Sequence, residues 1–305
     1  MASSFGSEAS AKMEKNAVVV SAPGFLGKKI TKAFEKAGWD LVPTSFPAAP
    51  GMRSLDVTDR KAVEKLVLGN APSVVINCSA LTSVDWCEEN REKCFAVNAL
   101  GPQNLAAACA KSGAKLVHFS TAFVFDGKEK RAYAESHELK PLNVYAESKA
   151  EAEKNIMAEL EDFIIIRTTD LYGFNDKGDK PCFPLWVLGR LREGKEFGIV
   201  DDQLSQPTLI DDVASAALKL VELNQKGIFH IFGRDYLSKF EFAQRAAKAF
   251  GFDPSMVKPI STAGSPMKAP RPRFLKMDTS KAASLGIMPR GIDHGLAVMK
   301  RQMGQ

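Results

Sequence analysis

The sequence has few of the residues that hold metals and disulfides. Its five cysteines are odd in number and contain no C-x-x-C pair, and its four histidines are isolated from one another. This pattern excludes a zinc site of the usual ligand spacing and a disulfide framework, and it fits a reducing compartment. We therefore expect no metal and a cytoplasmic protein.

Long apolar runs and charge clusters are missing as well. No apolar stretch approaches the ~18 residues of a membrane span. Residues 1–12 are small and polar, without the apolar core of a signal peptide, and we expect residues 1–15 to form a disordered N-terminus. The formal net charge is only +5, and no run of five basic residues occurs. The sequence therefore predicts neither a membrane nor a nucleic-acid partner.

Short apolar runs alternate with amphipathic stretches from the start of the chain. Runs such as Ala17–Ser21, Ser73–Cys78 and Phe163–Arg167 are rich in β-branched residues, which indicates strands buried on both faces of a parallel sheet. Their alternation with helices predicts a Rossmann-type doubly wound α/β sheet. We assign residues 16–170 to a dinucleotide-binding domain. Residues 171–305 form a C-terminal part that carries a small substrate-binding lobe and is interleaved with the sheet.

The first predicted strand runs into a glycine-containing turn at residues 21–27 and then into a helix. Gly24 and Gly27 have G-x-x-G spacing, and Ser21 stands where a preceding glycine of the same pattern would fall. Backbone amides of such a turn and the helix N-terminus can hold a pyrophosphate. The alternative is a tight turn without a ligand, and the place of the turn after the first strand of a parallel sheet favours the dinucleotide.

The end of the second predicted strand bears on the choice of cofactor. Residues 42–46 lack the acidic residue that binds an adenosine ribose 2′-hydroxyl. Because an acid there would repel a 2′-phosphate, its absence favours NADP(H) over NAD(H). Thr44, Ser45 and Arg53 could accept the phosphate. Further along, Ser79 and Ala80 follow a strand with small side chains, where a flat cofactor could approach the backbone.

Three polar residues on consecutive elements suit the reduction of a carbonyl group. Thr121 ends a predicted strand, and Tyr145 and Lys149 lie four apart on the next helix, hence on one face. An ammonium beside a phenol favours the phenolate, so we expect Lys149 to lower the pKa of Tyr145. In this interpretation Thr121 hydrogen-bonds the carbonyl oxygen, Tyr145 gives the proton and Lys149 holds the nicotinamide ribose.

Taken together, these motifs resemble the extended short-chain dehydrogenase/reductase superfamily, and within it the dTDP-4-dehydrorhamnose reductase group. That group includes the regulatory β subunit of methionine adenosyltransferase. The resemblance covers residues 16–287. It is carried by the segments 23–27, 55–59, 75–85, 97–98, 119–121, 124–127, 141–145, 167–168, 171–173, 271–273, 277–281 and 285–287.

The resemblance implies an NADPH-dependent reductase of a 4-keto-6-deoxy sugar nucleotide. Thr121, Tyr145 and Lys149 become its catalytic residues by this resemblance. Trp186, Gln206 and Arg271 become candidate substrate contacts, Arg271 because a pyrophosphate needs a cation. The residues implied to line the cofactor are Ser21, Gly24, Phe25, Leu26, Gly27, Asp56, Val57, Ser79, Ala80, Tyr145 and Lys149.

Two departures from the family pattern leave other functions open. Ser21 stands where glycine is typical, and Ala122-Phe123 replaces an Asp-Tyr pair. One alternative is a catalytically weak NADP-binding regulatory subunit that docks on a partner resembling methionine adenosyltransferase. Another is a reductase of the same mechanism with an unrelated carbonyl substrate. A homodimer is compatible with each of these functions.

Overall fold

The structure, a computed structural model, describes residues 14–129, 131–176 and 179–304. Of the segment 1–15 that we predicted to be disordered, residues 1–13 lie outside the described residues. Within the described residues, no helix has a stretch long and apolar enough to cross a bilayer.

Strands and helices alternate along the first part of the chain. The strands are β1 (Asn16–Val20), β2 (Asp40–Ser45), β3 (Arg53–Ser54), β4 (Val74–Asn77), β5 (Lys115–Thr121), β6 (Phe163–Thr168), β7 (Leu171–Tyr172), β8 (Phe197–Val200), β9 (Leu204–Ser205), β10 (Thr208–Leu209), β11 (Gly227–His230), β12 (Leu237–Ser238) and β13 (Val257–Ile260). The helices are α1 (Phe25–Lys36), α2 (Arg60–Asn70), α3 (Val84–Glu89), α4 (Arg91–Phe95), α5 (Gly101–Ser112), α6 (Val144–Glu159), α7 (Phe183–Arg192), α8 (Ile210–Glu222), α9 (Lys239–Ala249), α10 (Ser280–Ser284) and α11 (Ile292–Gln302).

Seven strands form one parallel sheet in the order β3-β2-β1-β4-β5-β6-β11. The chain first winds from β1 outward to β3 and then returns to the other side of β1. The predicted doubly wound sheet is therefore confirmed. In such sheets ligands bind at the carboxyl ends of the strands, next to the point where the direction of winding changes. Here that point lies between β1 and β4.

Helices cover both faces of this sheet, which explains its unbroken apolar strands. On one face, Ile30 and Phe34 of α1 pack with Val213 and Leu220 of α8. The other face is covered by α2, α5 and α6, whose buried residues include Val63, Leu105 and Ile156. Helix α6 thus runs along β5 and β6, with its N-terminus at the carboxyl edge of the sheet.

The residues after 170 contribute to two regions of the molecule. Helix α8 and strand β11 return to the parallel sheet, where β11 pairs with β6. Helices α7 and α9 instead pack on the small parallel pair β8–β13 through Val187, Leu191, Ala243 and Val257. This second cluster forms a lobe beside the carboxyl edge.

Candidate active site

Thr121, Tyr145 and Lys149 come together at the carboxyl edge of the sheet, from β5 and α6. Thr121 is the last residue of β5, and its hydroxyl accepts a hydrogen bond from the Phe123 N–H at 3.2 Å. Asn143 caps α6 by accepting the Ala146 N–H at 2.9 Å, which places Tyr145 in the first helical turn. Tyr145 and Thr121 are hydrogen-bonded to each other.

Burial sets the acidity of the Tyr145 phenol. It raises the pKa of Tyr145 to about 12, against the weaker opposing effect of the hydrogen bond with Thr121. Our expectation that Lys149 lowers this pKa is wrong for this structure. The physical reason is that the hydrogen bonds described for the Lys149 side chain go to other groups. Tyr145 is therefore a neutral phenol throughout the physiological pH range, and a neutral phenol is a proton donor.

Lys149 is held below Tyr145 by the sheet. Its side chain is 1% exposed, and Nζ donates to the Phe119 carbonyl at 2.7 Å. Nζ also lies 3.0 Å from Nε2 of His118. Burial lowers the pKa of the Lys149 ammonium to about 8, although the nearby Glu153 carboxylate opposes that change.

A buried ion pair fixes α6 against the sheet one turn further on. Glu153 accepts a 2.6 Å hydrogen bond from Nη2 of Arg167 on β6, and both side chains are buried. The Ser120 hydroxyl donates to the same carboxylate. Glu153 follows Tyr145 and Lys149 at the same four-residue spacing, a signal that could have identified it from the sequence.

The glycine-containing turn after β1 has the close approach that a dinucleotide cradle requires. A Cβ on Gly27 would lie 2.2 Å from the Ser21 carbonyl oxygen, so only glycine lets α1 start this close to the strand. Ser21 adopts φ +59°, in the left-handed region that favours glycine. Gly24 precedes α1, and Phe25 and Leu26 begin it, so their N–H groups belong to the unpaired helix N-terminus.

The carboxyl end of β2 carries two buried hydroxyl groups. Neither Thr44 Oγ1 nor Ser45 Oγ has a hydrogen-bond partner among the described residues. Arg53 is the register partner of Thr44 on β3. A buried hydroxyl without a partner is costly unless a ligand or water satisfies it. Two orphaned donors beside a cation fit the 2′-phosphate of an NADP-type dinucleotide.

The remaining predicted cofactor residues lie along the same edge. Asp56 accepts hydrogen bonds from the N–H and hydroxyl of Thr58 through one carboxylate oxygen, and Val57 beside it is buried. Ser79 follows β4, and both its N–H and its hydroxyl donate to Oδ1 of Asn77. Ala80 is partly exposed next to it. Their roles toward a cofactor stay predictions.

The three predicted substrate contacts differ in how free their polar groups are. Gln206 uses its amide within the fold, donating to the Gly233 carbonyl at 3.0 Å and accepting the Met277 N–H at 2.6 Å. Arg271 pairs with Asp85 at 3.0 Å. Trp186 is 42% exposed in the lobe. Substrate binding by these residues stays a prediction, and the structure gives Gln206 and Arg271 intramolecular partners.

The two residues that depart from the family pattern after Thr121 lie in different surroundings. Ala122 is fully buried and packs in the core with Val124 and Phe125. Phe123 is half-buried, with its ring edge-to-face against Tyr145 at a centroid distance of 6.2 Å. The departure therefore changes the surface of the site at Phe123 and not at Ala122.

Comparison with known proteins gives the same family throughout. The RmlD substrate binding domain model matches residues 15–303. A dTDP-4-dehydrorhamnose reductase of Mycobacterium tuberculosis is 34% identical over 278 residues, which cover 89% of this chain and 88% of the relative. Methionine adenosyltransferase 2 subunit beta of Xenopus tropicalis is 30% identical over 284 residues, with 90% and 84% covered.

The solved structures agree with the sequence relatives. The dTDP-4-dehydrorhamnose reductase of Bacillus anthracis, in complex with NADP, has a TM-score of 0.86 at 27% identity and covers 95% of this chain and 100% of its own. The family match extends over both the sheet and the lobe. The chain therefore belongs to the RmlD substrate-binding-domain family, in the dTDP-4-dehydrorhamnose reductase group of the extended short-chain dehydrogenases/reductases.

Proposed function

We propose that this protein is an NADPH-dependent reductase of the 4-keto group of a 6-deoxy sugar nucleotide. The observation that supports the proposal most is the meeting of Thr121, Tyr145 and Lys149 at the carboxyl edge, with Tyr145 as a neutral phenol. The relatives named as dTDP-4-dehydrorhamnose reductases support the same substrate class.

Three residues of the chain have separate roles in the proposed carbonyl reduction. The hydride chemistry is what a reduced nicotinamide supplies when it is bound. Thr121 hydrogen-bonds the carbonyl oxygen and positions it against Tyr145. The Tyr145 hydroxyl gives its proton to that oxygen as negative charge develops there. Lys149, held by the Phe119 carbonyl, would bind the nicotinamide ribose.

The cofactor choice follows from the end of β2. The Thr44 and Ser45 hydroxyls, which have no partner among the described residues, and the Arg53 cation would hold the 2′-phosphate. No acidic residue at the end of β2 opposes it. The NADP complex of the Bacillus anthracis relative supports this choice. Titration of the protein with NADPH and NADH should show tighter binding of NADPH. Tighter binding of NADH would overturn the proposed preference for NADP(H).

The decisive test is turnover of dTDP-4-keto-6-deoxyglucose and its 3,5-epimer, followed as NADPH oxidation. Tyr145→Phe removes the proton donor and should lower kcat by roughly 10²–10⁴-fold. Tyr172→Phe is the matched control, because the Tyr172 hydroxyl is buried without a partner among the described residues. Full turnover in Tyr145→Phe would contradict the mechanism, and no turnover in the unmodified protein would contradict the substrate.

A regulatory subunit is the second candidate function. The similarity to methionine adenosyltransferase 2 subunit beta supports it, as does Phe123, which gives the site an apolar wall beside Tyr145. Affinity purification from source cells would then recover a stoichiometric methionine adenosyltransferase. Robust sugar-nucleotide turnover without such a partner would exclude this candidate. Turnover of another carbonyl compound, but no sugar nucleotide, would favour the third alternative.

We also infer a cytoplasmic location. The five cysteines are all free thiols, four of them buried and Cys78 partly exposed, as is usual in a reducing compartment. Fractionation of source cells would test this, and recovery in an extracellular fraction would contradict it.

A further inference from the structure

A line of side-chain hydrogen bonds leads from the end of β4 to Lys149. Asn77 and His118 are register partners on β4 and β5. Nδ2 of Asn77 lies 3.1 Å from Nδ1 of His118, and Nε2 of the same ring lies 3.0 Å from Nζ of Lys149. At the other end, the Ser79 N–H donates to Oδ1 of Asn77 at 3.0 Å. Asn77, His118 and Lys149 are all buried.

The backbone N–H of Ser79 sets the direction of this line, because it can only donate. Oδ1 of Asn77 must therefore face Ser79, and Nδ2 must face His118 as a donor. Nδ1 of His118 is then an acceptor. A neutral imidazole with an accepting Nδ1 carries its hydrogen on Nε2. Burial holds the pKa of His118 well below its usual range, so the ring stays neutral.

This tautomer directs an N–H at the nitrogen of Lys149. An ammonium has three hydrogens and no lone pair, so it cannot accept the hydrogen bond from His118. A neutral amine can accept it while still donating to the Phe119 carbonyl at 2.7 Å. Every contact in this line therefore has one donor and one acceptor only when Lys149 is uncharged.

The groups that face Lys149 from the surrounding elements do not reverse this preference. They are Glu153 and Tyr145 from its own helix, the Cys94 thiol from α4 and His118 from β5. Tyr145 is neutral, as described above. Glu153 is the one carboxylate among them.

The charge of Glu153 is already matched by another cation. Its two oxygens accept hydrogen bonds from Nε and Nη2 of Arg167, and the Ser120 hydroxyl donates to one of them. A carboxylate with its own buried guanidinium partner stabilises a second cation weakly. The charge of Glu153 therefore favours the ammonium of Lys149 less than burial disfavours it.

We propose that His118 is a positioning residue that favours the neutral amine of Lys149 over the ammonium in the protein without bound cofactor. This rests on the proposed function only in giving Lys149 a role in catalysis. Where Lys149 is neutral, no ammonium beside Tyr145 favours the phenolate, and this adds to the effect of burial in keeping the Tyr145 proton in place. The sequence offered no signal for His118, since the role depends on strand register and on α6.

The test is nuclear magnetic resonance of the protein without ligand, so it is independent of any turnover. Long-range ¹H–¹⁵N correlation reports the tautomer of each of the four histidines, and loss of one signal in His118→Gln assigns it. At pH 9, above the expected midpoint of Lys149, we expect His118 to be neutral with its hydrogen on Nε2. A hydrogen on Nδ1, or a cationic ring, would overturn the proposal.

The state of Lys149 is measured by titrating the Cε resonances of ¹³C-labelled lysine, assigned with Lys149→Arg. In the unmodified protein we expect a midpoint at about 8. His118→Gln can turn its amide oxygen to Lys149, so the midpoint should rise by about one pH unit, a tenfold gain in proton affinity. His230→Gln, a buried histidine of β11, is the matched control and should leave the midpoint unchanged. An unchanged midpoint in His118→Gln, or a midpoint of the unmodified protein at that of an exposed lysine, would refute the role of His118.

Discussion

Replacing Lys149 with methionine should make the protein more stable at neutral pH while removing its proposed activity. The pKa of Lys149 is lowered from 10.5 to about 8 by burial. At about 1.4 kcal/mol per pH unit, carrying the charged form in the fold costs roughly 3 kcal/mol at pH 7. Methionine fills a similar volume without a charge.

The sign of the pH dependence follows from the lowered pKa. Below pH 8 the unfolded chain holds Lys149 as an ammonium, and the fold must either bury that charge or release its proton. In both cases the unfolding free energy is lower by the full amount of roughly 3 kcal/mol. Between pH 8 and 10.5 the unfolded chain binds more protons than the fold, so stability rises with pH. Above 10.5 both states are neutral and the cost is gone.

The substitution also removes one favourable contact. The Phe119 carbonyl loses its 2.7 Å partner, which costs about 1–3 kcal/mol. Lys149→Met should therefore gain about 1 kcal/mol in unfolding free energy at pH 7 and lose about 1–3 kcal/mol near pH 10.5. The carbonyl cost cancels when the two pH values are compared, so the change of roughly 3 kcal/mol between them is the quantity that burial of the charge predicts.

Urea unfolding of both proteins at the two pH values measures this change. Lys115→Met is the matched control, since Lys115 is equally buried on β5 but pairs with Asp162. Breaking that pair should destabilise the protein at pH 7. If Lys149→Met lowers stability by the same amount at pH 7 and pH 10.5, the reasoning from burial is wrong.

The remaining predictions concern the turn after β1 and the ion pair below the site. Ser21→Gly should raise the unfolding free energy by about 1 kcal/mol, because a residue with a side chain is strained by about that much at φ +59°. Calorimetry measures this gain. An equal gain in Ser21→Ala, which keeps a Cβ, would contradict the explanation. Gly27→Ala should cost about 2–4 kcal/mol and weaken NADPH binding in titration calorimetry, since its Cβ would lie 2.2 Å from a carbonyl oxygen; unchanged affinity would argue against the cradle. Glu153→Gln should cost about 3–5 kcal/mol in urea unfolding, because it leaves Arg167 buried without its anion. The control Glu151→Gln, in a partly exposed pair with Lys154, should cost less than about 0.5 kcal/mol. Equal costs in the two variants would refute the distinction between buried and exposed ion pairs.

The parallel sheet could be predicted because its signal is local. Strands covered by helices on both faces are continuous apolar runs, and Val18, Val75 and Ile165 all lie in such runs. The position of the site could be predicted from the parallel sheet, since the carboxyl ends of parallel strands lie at one edge. Thr121 and Tyr145 met there as expected.

The pairing of β8 with β13 could not be predicted in the same way. Proline lacks a backbone N–H and is unusual inside a strand, yet Pro259 lies in β13 and pairs with Ile199. Both strands are short, and Lys258 and Pro259 are exposed. Their pairing joins segments about sixty residues apart, and pattern analysis of a local window does not detect such a contact.

The acidity of Tyr145 and the role of His118 were missed for another physical reason. Spacing shows which side chains share a helix face, but burial decides their pKa values. Lys149 follows Tyr145 by one turn of α6. The direction of the Lys149 side chain, toward the Phe119 carbonyl and His118, depends on the sheet below it.

The energetic cost of Lys149 bears on which proposed function is correct. A regulatory subunit has no need for a buried lysine that costs roughly 3 kcal/mol at neutral pH, because a methionine would fill the same space. Costly buried groups are typical of sites where chemistry requires them. Phe123 changes the wall beside Tyr145 but leaves the Thr121–Tyr145 hydrogen bond in place. The retained cost therefore favours a working reductase over a subunit that only binds, and it makes the stability of Lys149→Met a test of function as well as of burial.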